Sequence, residues 1–228
     1  MREIVFDTET TGLDPAKGDR LVEIGCIEMI NRVATGQTFH GYFNPQRDMP
    51  AEAQAIHGLS ATFLGDKPLF GTRAAELLVF LGDAPLVAHN AGFDFGFLNA
   101  ELAICGLPPV DRARMVDTVA IAKRKHPGAK LSLDALCSRY GIDRSHRVLH
   151  GALLDAELLA QLYVELTGGR QIGLELAASS TIESTLTITA QLVVERQSRA
   201  PRAHAASAEE LERHHAFIAL LSEPIWRN

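Results

Sequence analysis

Short apolar runs open this chain, and longer runs with helical spacing follow them. Residues 2–7 predict a short buried strand, and residues 21–30 and 37–43 predict two more. The segment NRVATG, which contains Asn31 and Gly36, separates the second strand from the third. We therefore expect these two strands to form a hairpin.

Helical patterns then alternate with short strands. Helices are predicted at residues 72–81, 91–106, 131–141 and 151–169, and strands at residues 85–90 and 114–118. Glycine stands at the end of the last three helices, where it commonly terminates a helix. A hairpin followed by alternating strands and helices predicts an α/β fold, with a mixed sheet flanked by helices.

The composition of the chain changes after residue 170. Residues 171–207 are rich in Ala, Ser, Thr, Gln and Arg and predict a linker, although the apolar stretch 185–194 could pair with another segment. A helical pattern returns at residues 208–221. The predicted organisation is a domain at residues 1–170, a linker at residues 171–207 and a short helical tail at residues 208–228.

The charge balance argues against a protein that wraps long duplex DNA. The chain carries 22 Lys and Arg against 28 Asp and Glu, a formal net charge of −6, whereas proteins that hold DNA by bulk electrostatics are usually basic. One basic stretch, from Arg112 to Arg147, is an exception. It either faces phosphates or forms an ordinary solvated helix surface, and the sequence leaves both open.

The cysteines and the apolar runs indicate the compartment. Cys26, Cys105 and Cys137 lie far apart and predict buried thiols rather than a disulfide framework or a zinc site. The first strand already carries acidic residues, which argues against a secretory signal, and no apolar run reaches the ~20 residues that cross a bilayer. These features predict a soluble, cytoplasmic protein.

Two acidic residues end the first strand. Asp7 and Glu9 are two positions apart in FDTET, so they face the same side of the strand while Thr8 faces the other. Neighbouring carboxylates repel each other unless a cation lies between them, and Mg²⁺ and Mn²⁺ prefer such oxygen ligands. The alternative is a pair of solvated acids at a sheet edge.

A third acidic residue lies in the segment HNAGFDFGFL. Asn90 is predicted to cap the helix that begins there, which places Asp94 in the first helical turn among three phenylalanines. Asp94 could join a metal site, or it could only stabilise the positive end of the helix dipole. His89 is interpreted as a structural histidine.

A fourth acidic residue follows a histidine in HGALLD. His150 precedes or begins the last helix of the domain, and Asp155 lies five residues later in an apolar stretch. A carboxylate there needs a partner, which a metal would supply, and His150 beside a metal-bound water could take its proton. His146 is interpreted as a surface residue. Four carboxylates and one histidine suit phosphodiester hydrolysis with two metal ions about 3.5–4 Å apart.

The segments FDTETTG, HNAGFDFGFL and HGALLD resemble, in order, the three exonuclease motifs of the DnaQ-like DEDDh nucleases. This resemblance implies a ribonuclease H-like fold and 3′→5′ exonuclease activity. It also implies that Asp7, Glu9, Asp94 and Asp155 hold two Mg²⁺ or Mn²⁺ ions and that His150 is the catalytic base. The spacing from His150 to Asp155 marks the histidine subclass of the family.

Residues 2–170 as a whole are similar to the epsilon subunits of bacterial DNA polymerase III. The likeness is carried by VEIGCIEMINR, PAEAQAIHGLS, LSLDALCSRYGID and LHGALLDAELLAQLYVELTGG. It implies hydrolysis of mispaired 3′-terminal nucleotides to deoxynucleoside monophosphates. The implied substrate-binding residues are Asp7, Glu9, Glu52, His57 and Asp155. Glu52 and His57 could instead be plain helix-surface residues.

The tail resembles the regions with which these subunits bind other replication proteins. Gln171, Leu174 and Leu176 resemble a short peptide that binds the sliding clamp, or they are linker residues with chance leucines. The segment ending in Trp226 resembles the region that docks on the polymerase (alpha) subunit, with Trp226 as an interface anchor. The resemblance also implies the DNA 3′ end as substrate and leaves open a small theta-like accessory subunit.

Other classes of protein share parts of this pattern. DnaQ-like exoribonucleases have the three motifs but usually lack a long tail, and a free-standing DNA repair exonuclease would have no polymerase partner. A non-catalytic binding module would keep the fold without the chemistry, but all five expected positions are present. The sequence therefore favours a proofreading exonuclease.

Overall fold

The structure is a computed structural model that describes residues 1–147, 149–168 and 206–220. The chain divides into two units after Leu176. Several predictions fall outside the described residues: most of the linker, the clamp contact at Gln171, Leu174 and Leu176, and the interface anchor Trp226. Within the described ranges, no helix is both long enough and apolar enough to cross a membrane.

Among the described residues of the first unit, a mixed sheet has the strand order β3-β2-β1-β4-β5. Its strands are β1 (Arg2–Thr10), β2 (Leu21–Ile30), β3 (Val33–Tyr42), β4 (Leu86–Ala88) and β5 (Met115–Asp117). The pairings β1–β2 and β2–β3 are antiparallel, whereas β1–β4 and β4–β5 are parallel. The predicted mixed sheet is confirmed, and it places β1 at the centre.

The hairpin between β2 and β3 is tighter than predicted. Asn31 and Arg32 have positive φ angles of 51° and 65°, as in the two-residue turns that match the twist of paired strands. Ile30 pairs with Val33 directly after the turn, so β3 begins at Val33 rather than at residue 37. Arginine is uncommon in this backbone conformation, which is why the sequence pattern did not reveal the turn.

Helices cover both faces of this sheet. They are α1 (Ala51–His57), α2 (Ala61–Gly65), α3 (Phe70–Leu81), α4 (Ala91–Ile104), α5 (Thr118–Lys125), α6 (Leu133–Tyr140) and α7 (Ala152–Leu166). The four predicted helices are confirmed, with ends that differ by up to three residues. Helices α1, α2 and α5 were not predicted, because each has eight residues or fewer and shows little apolar periodicity.

Alternate residues of β1 pack into two separate apolar clusters. Ile4 and Phe6 pack with residues of α3 and α4 on one face, whereas Val5 packs with residues of α5, α6 and α7 on the other. All three side chains are fully buried, and each such burial contributes roughly 1.5–3 kcal/mol. This alternation decides which face the polar residues at the end of β1 occupy.

The three cysteines are unpaired thiols. Cys26 and Cys137 are buried, as predicted. Cys105 is only partly buried, so the prediction is wrong for this residue. The reason is its position directly after the last residue of α4, where the chain leaves the core.

The second unit is described for residues 206–220 and contains helix α8 (Ala208–Ala219). Ser207 and Glu210 cap this helix reciprocally, because the N–H of Glu210 donates to the Ser207 hydroxyl and the N–H of Ser207 donates to the Glu210 carboxylate. The helical pattern predicted for residues 208–221 is thereby confirmed as far as Ala219. Leu211 and Phe217 are exposed on this helix.

Candidate active site

Carboxylates from both faces of the sheet meet at the end of β1. Asp7 and Glu9 lie on the face of β1 that Val5 shares with α7. Thr8 lies on the opposite face, and its hydroxyl donates a buried hydrogen bond of 2.7 Å to Oδ1 of Asp94. Asp94 is in the first turn of α4 and is 2 % exposed. Strand β1 therefore carries the acidic side chains of Asp7 and Glu9, and Thr8 between them holds the carboxylate of Asp94.

The approach of α7 to the sheet depends on Gly25. Gly25 lies opposite Asp7 in the pairing of β1 with β2. A β-carbon built on Gly25 would lie 2.3 Å from the backbone nitrogen of Leu153, so any side chain there would push α7 away. Glycine lets the first turn of α7 rest on β2, and Asp155 in that turn is thereby held beside the end of β1.

Glu9, His150 and Asp155 form the tightest part of this cluster. Each offers one possible ligand atom, and the three atoms lie within 4.8 Å of one another. Glu9 and Asp155 are buried, while His150 is exposed. Asp7 and Asp94 are outside this group of three. Asp7 nevertheless lies close enough to feel the other carboxylates. The charges of Asp94, Glu9 and Asp155 all raise the pKa of Asp7.

Burial makes ionised carboxylates unfavourable in this cluster. Burial is the main reason that the pKa of Asp7 is raised, and Asp94 adds to it. Burial, followed by the charge of Asp155, raises the pKa of Glu9 to about 8. Burial also raises the pKa of Asp94 to about 7, although the hydrogen bond from Thr8 lowers it.

Carboxyl groups that are buried this close to one another ionise together only when a cation neutralises their negative charge. The donor set offers carboxylate oxygens and one imidazole. This set fits a hard divalent ion such as Mg²⁺ or Mn²⁺. The residues that could hold such an ion are Asp7, Glu9, Asp94 and Asp155, with His150 at the exposed side.

One cation that the motifs did not indicate lies inside this cluster. Arg147 donates from Nε to Oδ1 of Asp155 at 2.5 Å and from Nη2 to Oδ2 at 2.6 Å. Its Nη1 donates to Oδ1 of Asp134 at 2.8 Å, and its Nη2 lies 2.8 Å from Nδ1 of His150. In the sequence, the only indication of a role for Arg147 was its position three residues before His150. Nothing else distinguished Arg147 from the other cations of the basic stretch.

Helix α1 approaches the site beside His150, whose backbone N–H donates to the Ile56 carbonyl at 3.2 Å. His57 is 5 % exposed, and its Nδ1 accepts the N–H of Leu59 at 3.0 Å. The ring proton therefore lies on Nε2, which has no hydrogen-bond partner among the described residues. Reading His57 as a helix-surface residue is thus wrong. Glu52 is exposed in the first turn of α1, which leaves both interpretations of it open.

Asn90 directly precedes α4 as predicted, but the predicted capping by its side chain is wrong. Its backbone is left-handed, with φ 65° and ψ 50°, and its side chain makes no capping hydrogen bond. Asparagine tolerates this conformation, which the sharp turn after β4 requires. Asp117 instead accepts the N–H groups of Asn90 at 3.1 Å and Val119 at 3.0 Å. This carboxylate joins the starts of α4 and α5 and so positions the first turn that carries Asp94.

The neighbouring histidines behave as the sequence indicated. Nδ1 of His89 lies 2.9 Å from the Thr118 hydroxyl, a contact between β4 and α5 that suits a structural residue. His146 is exposed.

Part of the basic stretch is used within the fold. Arg114 donates to the carbonyls of Ala84 at 2.9 Å and Leu81 at 3.2 Å. Arg144 and Arg147 both pair with Asp134. For the other cations of the stretch, the phosphate-facing patch and the solvated helix surface both stay predictions.

A family described as exonuclease matches residues 4–163 of this chain. That range contains every carboxylate of the cluster and His150. Two proteins called DNA polymerase III subunit epsilon are similar over nearly the whole chain. The one from Rickettsia felis is 47% identical over 222 residues, covering 96% of this chain and 96% of the relative. The one from Escherichia coli is 39% identical over 237 aligned positions, covering 99% and 97%.

A solved structure with a similar fold is exonuclease X in complex with duplex DNA that has a 5′ overhang. It is 26% identical to this chain and has a TM-score of 0.54. The similarity covers 72% of this chain and 90% of that one.

Proposed function

The chain belongs to the exonuclease family that includes the DNA polymerase III epsilon subunits, and from this premise we propose that it is the 3′→5′ proofreading exonuclease of a bacterial replicative DNA polymerase. Its substrate is the 3′ end of a growing DNA strand, and its product is a deoxynucleoside monophosphate. Relatives named as subunits of DNA polymerase III match this chain along almost their full length. This match favours the assignment over an exoribonuclease or a free-standing repair enzyme.

The observation that carries the proposal is the convergence of Glu9, His150 and Asp155 within 4.8 Å, with Asp7 and Asp94 next to them. Burial and mutual repulsion raise the pKa values of Asp7 and Glu9, and burial raises that of Asp94, although Arg147 lowers the first two; this pattern supports a site that a further cation completes. A site that only bound DNA phosphates would carry an excess of cations, whereas this cluster has four carboxylates against the single guanidinium of Arg147. A set of buried carboxylates suits hydrolysis assisted by divalent cations.

The four carboxylates would hold two Mg²⁺ or Mn²⁺ ions, and these ions would make the attacking water more acidic and neutralise charge on the phosphate. His150 is exposed at the edge of the cluster and is proposed to accept the proton of the attacking water. The water oxygen bonds to phosphorus while the bond from phosphorus to the 3′ oxygen of the penultimate nucleotide breaks, and that oxygen takes a proton from solvent and leaves as a hydroxyl group. Thr8 holds Asp94 in place by its hydrogen bond of 2.7 Å.

Substrate binding is assigned to Asp7, Glu9, Glu52, His57 and Asp155. His57 supports this assignment, because its buried Nε2 carries a proton that makes no well-formed hydrogen bond to a described residue, although the nearby Thr10 backbone favours the protonated ring and raises its pKa against the effect of burial. Buried donors of this kind are rare unless a ligand or water completes them. A mispaired terminal nucleotide frays at the lowest cost, which gives selectivity for mismatches.

The tail is proposed to connect this nuclease to its partners. The exposed Leu211 and Phe217 on α8 suit a helix that docks on the polymerase (alpha) subunit, with Trp226 as a further anchor. Residues 171–207 would act as the linker, and Gln171, Leu174 and Leu176 as a contact with the sliding clamp. A small theta-like subunit is a further candidate partner. As part of the replication machinery, the protein would work in the cytoplasm.

The test is the release of mononucleotides from a primer with a mismatched 3′ end, in the presence of Mg²⁺. We expect the full-length protein to release them faster from mismatched than from paired ends. The double variant Asp7→Ala, Glu9→Ala should remain folded and release none. Release only from RNA would support an exoribonuclease, and normal release by the double variant would refute the metal site. Absence of the polymerase subunit from a pull-down with an otherwise active protein would support a free-standing repair enzyme.

A further inference from the structure

The guanidinium of Arg147 occupies the oxygens with which Asp155 would bind a divalent ion. Its N–H groups bind both oxygens of that carboxylate, at 2.5 and 2.6 Å. The Arg147 side chain is 8% exposed and the Asp155 side chain 4%, so water has little access to the pair. A two-point pair of this kind is among the stronger polar contacts in proteins. Each oxygen keeps one further lone pair, so Arg147 does not block a metal completely, but its charge and its hold on both oxygens compete with the ion for this carboxylate.

The same guanidinium lies against His150. Nη2 of Arg147 is 2.8 Å from Nδ1 of His150 and 3.3 Å from its Nε2. A guanidinium has donors and no acceptor, so the imidazole nitrogen that faces it must act as the acceptor. That nitrogen cannot accept a proton from water in this arrangement.

Arg147 is held on a third side by Asp134 of α6, at 2.8 Å from Nη1. Asp134 is 47% exposed and is not part of the carboxylate cluster. The side chain thus has an anchor that is independent of Asp155, and it can leave Asp155 without losing every partner.

We propose that Arg147 is an internal counter-ion that closes the site in the metal-free protein and is displaced from Asp155 when a divalent ion binds. One displacement then exposes the oxygens of Asp155 and the ring nitrogen of His150 together, so metal binding and the availability of the base are coupled. Arg147 is a positioning residue in this scheme, and it competes with the ion for the same carboxylate. The inference rests on the proposed nuclease function.

The first test measures the binding of Mn²⁺ alone to the full-length protein by calorimetry, without DNA. Arg147→Gln should bind Mn²⁺ roughly tenfold more tightly, equivalent to about 1.4 kcal/mol, because a competing cation is gone. Arg147→Lys keeps the charge but not the two-point geometry, and its affinity should lie between the two. Arg144→Gln is the matched control, because Arg144 pairs with Asp134 at 3.0 Å but makes no contact with Asp155. Its affinity should equal that of the unmodified protein.

The second test uses the unmodified protein and therefore does not depend on the folding of a variant. The Nε–H resonance of Arg147, assigned by comparison with Arg147→Lys, is followed by nuclear magnetic resonance as Mg²⁺ is added. We expect this resonance to shift in step with the bound fraction, while that of Arg144 stays in place.

Two results would overturn the inference alone: equal or weaker Mn²⁺ binding by Arg147→Gln, or an Arg147 resonance that does not change at saturating Mg²⁺, in a protein that still releases nucleotides. A protein that neither binds Mn²⁺ nor releases nucleotides would overturn the proposed function as well.

Discussion

Thr8 and Asp94 are 86 positions apart in the chain and share a buried hydrogen bond of 2.7 Å. Thr8 faces away from Asp7 and Glu9, yet it fixes the carboxylate that approaches from the other side of the sheet. The hydroxyl donates to Oδ1, so it favours the ionised form of Asp94 and lowers its pKa against the effect of burial. The residue between the two acids of β1 therefore has its own part in the site.

Replacing Thr8 with Val should weaken the site while leaving the fold intact. Valine has nearly the same shape but cannot donate, so Asp94 would lose its partner. By analogy with groups that orient metal ligands, we expect a loss of roughly 10–100-fold in nucleotide release or Mn²⁺ affinity. Thr8→Ser retains the hydroxyl and should stay close to the unmodified protein. Equal activity of the Val and Ser variants would show that the hydrogen bond does not position Asp94.

Gly25 should prove essential to the placement of Asp155. Gly25→Ala puts a methyl group where the backbone of Leu153 now lies, at 2.3 Å. Displacement of α7 should cost about 1–3 kcal/mol of unfolding free energy and separate Asp155 from Glu9. Gly65→Ala is the control, because apart from its own helix backbone and chain neighbours no atom lies within 4 Å of the added carbon. Chemical denaturation and nucleotide release of both variants measure the effect, and a stable, active Gly25→Ala would refute the close-approach argument.

The metal-free protein should lose stability as the pH rises. The pKa of Glu9 is raised from 4.5 to about 8, and that of Asp94 from 3.8 to about 7. A raised pKa means that the folded state favours the neutral carboxyl group, so this contribution is complete below the ordinary pKa and is lost as the pH passes through the raised one. The free energy of unfolding in EDTA should therefore fall between the ordinary and the raised pKa values, from about pH 4 to about pH 8.

Glu9→Gln provides the control for this pH dependence, because it removes the group with the pKa of about 8. The variant should be more stable than the unmodified protein at high pH and should show a shallower fall. Saturating Mg²⁺ should reduce the fall in the unmodified protein. A profile that Glu9→Gln leaves unchanged would show that other groups cause the pH dependence.

His150 and His146 offer a matched pair for the assignment of the base. We expect His150→Ala to lose roughly 10²–10⁴-fold in turnover, the usual contribution of a general base, and to keep its Mn²⁺ affinity. His146 is exposed, and His146→Ala should have normal turnover. If His150→Ala loses Mn²⁺ binding as well, His150 acts as a ligand instead, which its distance to Glu9 and Asp155 would permit.

The sequence located the acidic positions because each lies in a local pattern: alternate residues at the end of a strand, or the first turn of a helix. It could not locate Arg147, since the pairing with Asp155 arises only when the connection before α7 folds back on that helix. Gly25 was equally hidden. Its importance comes from a helix 127 positions later in the chain, at Ala152, which no local spacing reveals. Short helices such as α1 show too little apolar periodicity to be predicted. The burial of His57, which lies in α1, was therefore not predicted either.

His57 should act on substrate binding and contribute little to stability. Its Nε2 proton is buried without an acceptor among the described residues, and such a group costs stability until a ligand completes it. His57→Phe removes the donor, so the melting temperature should be unchanged or higher. Loss of one hydrogen bond to the terminal nucleotide should lower kcat/KM by up to about tenfold. His57→Gln can place an amide N–H near the position of Nε2 and should recover part of that loss. A Phe variant with unaltered kcat/KM, or one that simply unfolds, would show that the histidine serves the packing of α1 and not the substrate.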